Sequence, residues 1–236
     1  MKLIVGNFKM NLNLDEVNDY IAYFKDKKYD NVIFGPSNIY LLKFIENGFK
    51  VASQDASFAS IGAYTGDVSA SQLKSIGVNY SIIGHSERRE YYSDNKYVND
   101  KLIELINNDI IPILCIGETK EERDKEATFN VLQEEIDNSF KKMDTNKLNS
   151  VIIAYEPIWS IGTGVIPTNE DINITINYIK SYIKDNYGLD IKVLYGGSVN
   201  NHNIDELEKN SIIDGYLVGG CSIKKEDFNE LIKKVG

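Results

Sequence analysis

Val151-Ile152-Ile153-Ala154-Tyr155-Glu156-Pro157-Ile158-Trp159-Ser160-Ile161-Gly162-Thr163-Gly164 is the stretch on which the reading of this chain turns. A run of β-branched and apolar residues, too short for a free-standing helix, ends at a carboxylate, and Pro157 then removes a backbone donor and stops any strand ladder. Glu156 therefore stands at the C-terminal end of a buried strand. Behind it, one Trp and two glycines describe a short hinged flap whose backbone can approach a ligand closely. Taken alone the stretch carries two readings: a base beneath a lid, or a strand closed by ordinary proline and glycine turn chemistry.

The pattern recurs on both sides. Upstream, residues 2–9 read as a strand delivering an amide and an ammonium at its end, and 15–27 as the helix after it. Residues 31–35 lead into a helix ending at Gly48, and 49–53 lead through a loop into a helix over 71–76 stopped by Gly77. Residues 80–84 are the fourth strand and 111–117 the fifth, after which Thr119-Lys120-Glu121-Glu122 has capping-box spacing for one long helix. Downstream of the opening stretch, 191–195 and 215–218 complete eight strands, and 225–233 is the closing helix. Eight strand-helix units of roughly thirty residues fill the chain without a linker or composition shift, so residues 1–236 are expected to form a single (β/α)8 barrel domain. A doubly wound sheet is the alternative, but Gly162-Thr163-Gly164 lacks the third glycine of a dinucleotide fingerprint, Pro167 standing in its place. No Gly-Lys-Ser/Thr phosphate loop occurs either.

Composition narrows the function. With 42% hydrophobic residues the chain can bury a large core. Twenty-six Lys and Arg against 35 Asp and Glu leave a net charge of −9, which argues against a nucleic-acid surface, so any anionic ligand must be captured by local groups. No long apolar window and no leader pattern is evident, so a cytoplasmic protein with no membrane partner is expected. Cys115 and Cys221 are far apart, and with only His85 and His202 beside them neither a disulfide nor a metal site is expected.

In such barrels the C-terminal strand ends carry the chemistry, and the polar residues there are Asn7, Lys9, His85 and Glu156. Each alone has a structural reading: a turn former, a solvated lysine, a histidine at a helix start. Their convergence on one rim makes a base, a cation and an imidazole. Three glycine-rich pieces, Ile161-Gly162-Thr163, Gly196-Gly197-Ser198 and Gly219-Gly220, follow the last three strands and read either as turns or as a phosphate cradle of backbone N–H groups.

From end to end the chain resembles the triosephosphate isomerase family. The resemblance is carried by Gly6-Asn7-Phe8-Lys9-Met10-Asn11, Gly62-Ala63-Tyr64-Thr65-Gly66-Asp67, Ile83-Gly84-His85-Ser86-Glu87-Arg88-Arg89, residues 154–163, Tyr195-Gly196-Gly197-Ser198-Val199 and Asp214-Gly215-Tyr216-Leu217-Val218-Gly219-Gly220. It implies interconversion of dihydroxyacetone phosphate and D-glyceraldehyde 3-phosphate in glycolysis and gluconeogenesis, by a cytoplasmic homodimer with no cofactor or metal. The family is a standard instance of a glutamate base, a neutral histidine electrophile and a water-excluding loop, roles that fall here on Glu156, His85 and the stretch after Glu156. The resemblance further implies Lys9 as the fixed positive charge and Asn7 as its support. Gly162, Ser198, Gly219 and Gly220 are implied as the phosphate grip. Glu87 is implied as a supporting partner, and Thr65 as a brace for Asn7 and His85 from the neighbouring subunit. Phe8, Asp67, Cys221 and the Val165-Ile166-Pro167 hinge depart from the usual family residues.

Two other functions share parts of this pattern. A different phosphosugar barrel enzyme, such as an epimerase, would use metal-ligating His and Asp at its strand ends, which two histidines scarcely supply. A non-catalytic phosphate-binding barrel would not need Glu156, His85 and Lys9 together.

Overall fold

Strands covered on both faces read as continuous apolar runs rather than alternations, and the eight runs behave so. In a computed structural model, which describes residues 1–163 and 165–236, they are β1 Leu3–Asn7, β2 Val32–Gly35, β3 Ala52–Ser53, β4 Tyr80–Ile83, β5 Ile111–Ile116, β6 Ile152–Tyr155, β7 Lys192–Tyr195 and β8 Gly215–Val218. The expected flap residue Gly164 lies outside the described residues. Neighbouring strands pair in parallel in the order β2-β1-β8-β7-β6-β5-β4-β3. Between β2 and β3 there is one isolated bridge, Phe34 to Val51, with the Phe34 N–H donating to the Lys50 carbonyl at 2.9 Å. The result is a nearly closed barrel, the (β/α)8 architecture expected from the sequence.

Side chains alternate between two cores. Val5, Ile33, Ile82, Ile113, Ala154 and Leu194 belong to the cluster that fills the barrel, while Ile4, Phe34, Ile83, Leu114, Ile153 and Val193 pack toward the helices. Each fully buried Val, Leu, Ile or Phe side chain contributes roughly 1.5–3 kcal/mol, so both layers hold the strand ends in place. Phe8 is fully buried at the end of β1, its ring 4.9 Å from that of Tyr20 and 5.9 Å from that of Phe44.

The helices are α1 Leu14–Phe24, α2 Leu41–Glu46, α3 Ala70–Ser75, α4 Ser86–Tyr92, α5 Val98–Asn107, α6 Lys120–Asp124, α7 Thr128–Phe140, α8 Asn169–Tyr187, α9 Ile204–Leu207 and α10 Lys225–Val235. Capping boxes at Asn13, Ser69, Thr119 and Thr168 start α1, α3, α6 and α8. The one long helix expected after Thr119 is two. Glu126 takes the left-handed φ of +57°, and the Ala127 N–H reaches back to the Glu122 carbonyl at 2.9 Å, closing α6 before α7 begins. Among the described residues no helix is long and apolar enough to cross a membrane.

Candidate active site

Glu156 follows the last residue of β6, its N–H donating to the Ile116 carbonyl at 2.8 Å. Gly117 lies so close that a Cβ there would stand 1.7 Å from the Glu156 carbonyl oxygen, so this contact requires glycine. The Glu156 side chain is 4% exposed; Oε1 is 3.3 Å from His85 Nε2, and Oε2 is buried without a hydrogen-bond partner among the described residues. A buried carboxylate oxygen left free is a proton acceptor held in reserve.

His85 caps α4, and its Nδ1 accepts the N–H of Glu87 at 3.2 Å. A ring nitrogen that accepts cannot also carry a proton, so the tautomer assigned by this bond has its hydrogen on Nε2, facing Glu156.

Lys9 stands just beyond β1 with a φ of +51°, a conformation a lysine adopts at a cost of about 1–3 kcal/mol. Surrounding bonds impose it. Asn7 Oδ1 accepts the Lys9 N–H at 3.0 Å, Gln54 Nε2 donates to the Lys9 and Gly35 carbonyls at 2.8 Å each, and the Ser37 hydroxyl donates to the Lys9 carbonyl at 3.2 Å. The ammonium reaches Glu87 Oε1 at 2.6 Å.

Asn7, Lys9, His85 and Glu156 share a cavity of about 220 Å³ with Gly162, Ser198, Gly219 and Gly220. All eight pocket residues expected from the sequence therefore line one space. Ser198 donates its hydroxyl to the Ser160 carbonyl at 2.9 Å, tying the loop after β7 to the stretch after β6. Glu87 stands behind the cavity, touching Lys9 and 3.8 Å from His85 Nδ1. Thr65 is exposed in the loop after β3 and is not among the residues lining this cavity.

The sequence reading missed Glu118, fully buried just past β5. It accepts the Trp159 Nε1–H at 2.9 Å and the Tyr155 hydroxyl at 3.2 Å, while Arg123 lies 3.7 Å away. Burial raises the Glu118 carboxyl above the usual carboxylate range against these stabilising contacts. The signal existed: Glu118 stands after a strand and a glycine, as Glu156 stands after a strand. Gln54 carries the same signal, standing directly past β3, but its hold on the Lys9 and Gly35 carbonyls depends on parts of the rim distant in sequence.

The sequence model of the family described as "Triosephosphate isomerase" matches residues 2–235. Triosephosphate isomerase of Alkaliphilus oremlandii is 38% identical, the match covering 98% of each chain. The Clostridium botulinum (Loch Maree) enzyme of that name is 39% identical over 98% of each chain, and the Malacoplasma penetrans one 39% identical over 100% of this chain and 99% of its own. This chain belongs to the triosephosphate isomerase family.

Within this member of the triosephosphate isomerase family, Cys115 and Cys221 are free thiols. Burial, then the charge of Glu156, pushes the Cys115 thiol well up, so it packs rather than attacks. Cys221 lines the cavity mouth and is pushed up by burial to about 11. Among the described residues no group of three His, Cys, Asp or Glu is placed to hold a metal ion.

Proposed function

We propose that this chain is a triosephosphate isomerase, interconverting dihydroxyacetone phosphate and D-glyceraldehyde 3-phosphate by proton transfer through an enediolate. The observation that carries the reading is the 3.3 Å approach of Glu156 Oε1 to His85 Nε2 inside a cavity that also holds Lys9 and the glycine-rich loops. Glu156 removes the proton α to the substrate carbonyl with its unpartnered oxygen. His85, neutral with its proton on Nε2, donates to the oxygen on which negative charge develops, and returns protons as the double bond relocates. Lys9 supplies a fixed cation to the enediolate and draws a phosphate dianion into a protein of net charge −9. Asn7 holds the Lys9 backbone in its uncommon conformation, and Glu87 orients both Lys9 and His85. Backbone N–H groups at Gly162, Ser198, Gly219 and Gly220 receive the phosphate. Roles for the base and electrophile follow those known for the family.

The chain works as one domain and as a cytoplasmic homodimer in this reading, with a triose phosphate as its small-molecule partner and no cofactor. Large apolar side chains left exposed in the segments that follow the first four strands support self-association: Met10, Ile39, Ile61 and Tyr64, with Tyr91 and Tyr92 at the end of α4. Thr65, on that surface, braces Asn7 and His85 across the subunit boundary. Two free thiols agree with a reducing compartment. A coupled isomerase assay at low enzyme concentration tests the function. Turnover abolished in Glu156→Gln supports it, and a purified chain that binds phosphate but does not turn over triose phosphate refutes it.

A further inference from the structure

The proton-transfer pair rests on a half-buried charge cluster that does not line the substrate cavity. Arg89, on α4, donates from Nε to the Gly84 carbonyl at 2.6 Å, from Nη2 to the Cys115 carbonyl at 2.9 Å and from Nη1 to Asn95 Oδ1 at 2.6 Å. Gly84 immediately precedes His85, and Cys115 is paired in register with Ala154 of β6. The counterion is Glu135 of α7. Its Oε1 lies 3.3 Å from Arg89 Nη1, and its Oε2 accepts the Gly117 N–H at 2.8 Å. Gly117 in turn backs directly on the Glu156 carbonyl. The interstice between Arg89, Cys115, Glu135 and Glu156 has no space for a water molecule. On this inner side a shift of one group is passed to the next by contact, while the outer side of Arg89 and Glu135 opens on a cavity of about 270 Å³.

We propose that Glu135, as a carboxylate, is a positioning residue for the isomerase reaction: through Gly117 and Arg89 it holds the ends of β4 and β5 at the spacing that sets Glu156 against His85. The inference rests on the function assigned above. Glu135 does not touch substrate; it acts through the two strand ends.

Its charge is conditional. Burial pushes the Glu135 carboxyl up to about 6, opposed by Arg89 and the Gly117 N–H and reinforced by the charges of Glu122 and Glu156. Those groups face it from α4, β5, α6 and the end of β6; α5 contributes only Val98 and the neutral Asn95 precedes it, while Glu134, Asn138 and Ser139 lie on its own helix. Once Glu135 is protonated, the largely covered Arg89 keeps only neutral hydrogen-bond partners, and the clamp between α7 and the two strands loses its ionic half. Activity is thus expected to fall as the pH drops through about 6.

A substrate phosphate also ionises near pH ~6, so the readout is a ratio in which that contribution cancels. The quantity to measure is kcat/KM of the wild type divided by that of Glu135→Gln, which keeps an acceptor for Gly117 but carries no charge. The ratio should be on the order of tenfold above about pH 7 and decline toward one near pH ~5. Thermal unfolding at about pH 7.5 should show the variant no less stable than wild type, because the carboxylate is the form that burial disfavours. A ratio independent of pH, or activity and stability lost together, would overturn the proposal. If Glu135→Gln does not fold, wild-type kcat at saturating substrate decides. A fall with a midpoint near 6 supports the inference, and a flat profile down to about pH 5 overturns it. A wild-type chain with no isomerase turnover at all would instead overturn the assigned function, and this inference with it.

Discussion

Glu156 shows how far chemistry depends on a single methylene. Its backbone is packed against Gly117 and its side chain against Gly196, where added Cβ atoms would lie 1.7 Å from its carbonyl oxygen and 2.9 Å from its Cγ. Shortening it to Asp withdraws the oxygen from His85 and from the substrate carbon. Glu156→Asp should lower kcat on the order of 10²-fold with phosphate-analogue affinity nearly unchanged, measured by steady-state kinetics and analogue titration. An Asp variant within twofold of wild type would remove Glu156 from the role of base. Lys9 contributes differently, since its ammonium serves both capture and charge stabilisation. Lys9→Met should lower kcat/KM far more than it lowers the melting temperature; normal turnover with unchanged analogue affinity would make Lys9 a bystander. Asn7, Lys9, His85 and Glu156 were legible because each stands at or just past the end of a strand, and strand ends are readable from apolar runs. Arg89 and Glu135 were not, because which face of a helix turns inward toward a strand end is decided by packing that no local pattern records.

Elements, too, were legible in proportion to how local their causes are. The capping box at Thr119 is written in four consecutive residues and appears as read, whereas β3 shrinks to Ala52–Ser53 because its extent is set by the neighbours that it pairs with. The end of α6 turns on Glu126, whose left-handed backbone nothing in its side chain announces. The stretch from Pro157 to Thr168 is the element whose behaviour matters most. Trp159 is held by Glu118 at its near end, and Pro167 is buried at its far end, just before the Thr168 cap. Pro167 fixes its own φ and biases Ile166 toward extended conformations, reducing the open geometries that closure must give up. Pro167→Gly should weaken the closed complex by roughly 0.4–1 kcal/mol, a two- to fivefold fall in kcat/KM with a matching loss of enediolate-analogue affinity. Equal or improved values for both would show that the proline does not favour closure.

At the scale of the molecule, assembly and acidity are the two levers. If the exposed apolar side chains that follow β1 to β4 pair two chains, dilution should reduce specific activity. A monomeric mass in solution at full specific activity would contradict the homodimer. Acidity acts on stability with an unusual sign at Glu135. Its folded value of about 6 lies above the ordinary 4.5, so the folded chain binds this proton more tightly. The stability this group adds is complete below the ordinary value and is lost as pH rises through about 6. Over that window the wild-type unfolding free energy, relative to Glu135→Gln, should decline by about 2 kcal/mol, as denaturant titrations at several pH values would read. The single bridge between Phe34 and Val51 bears on a different property, the route by which the barrel comes apart. Among the described residues every other junction between strands is a ladder of two or more residue pairs, so the wall they form has one seam, and thermal breathing should unzip it there first. The Phe34 amide should then exchange its hydrogen for deuterium sooner than those of β1 or β8. An opened seam bares the rims of β2 and β3 as two free edges able to recruit the same edges of another molecule, which makes this junction the place where heating would turn folded barrels into aggregate.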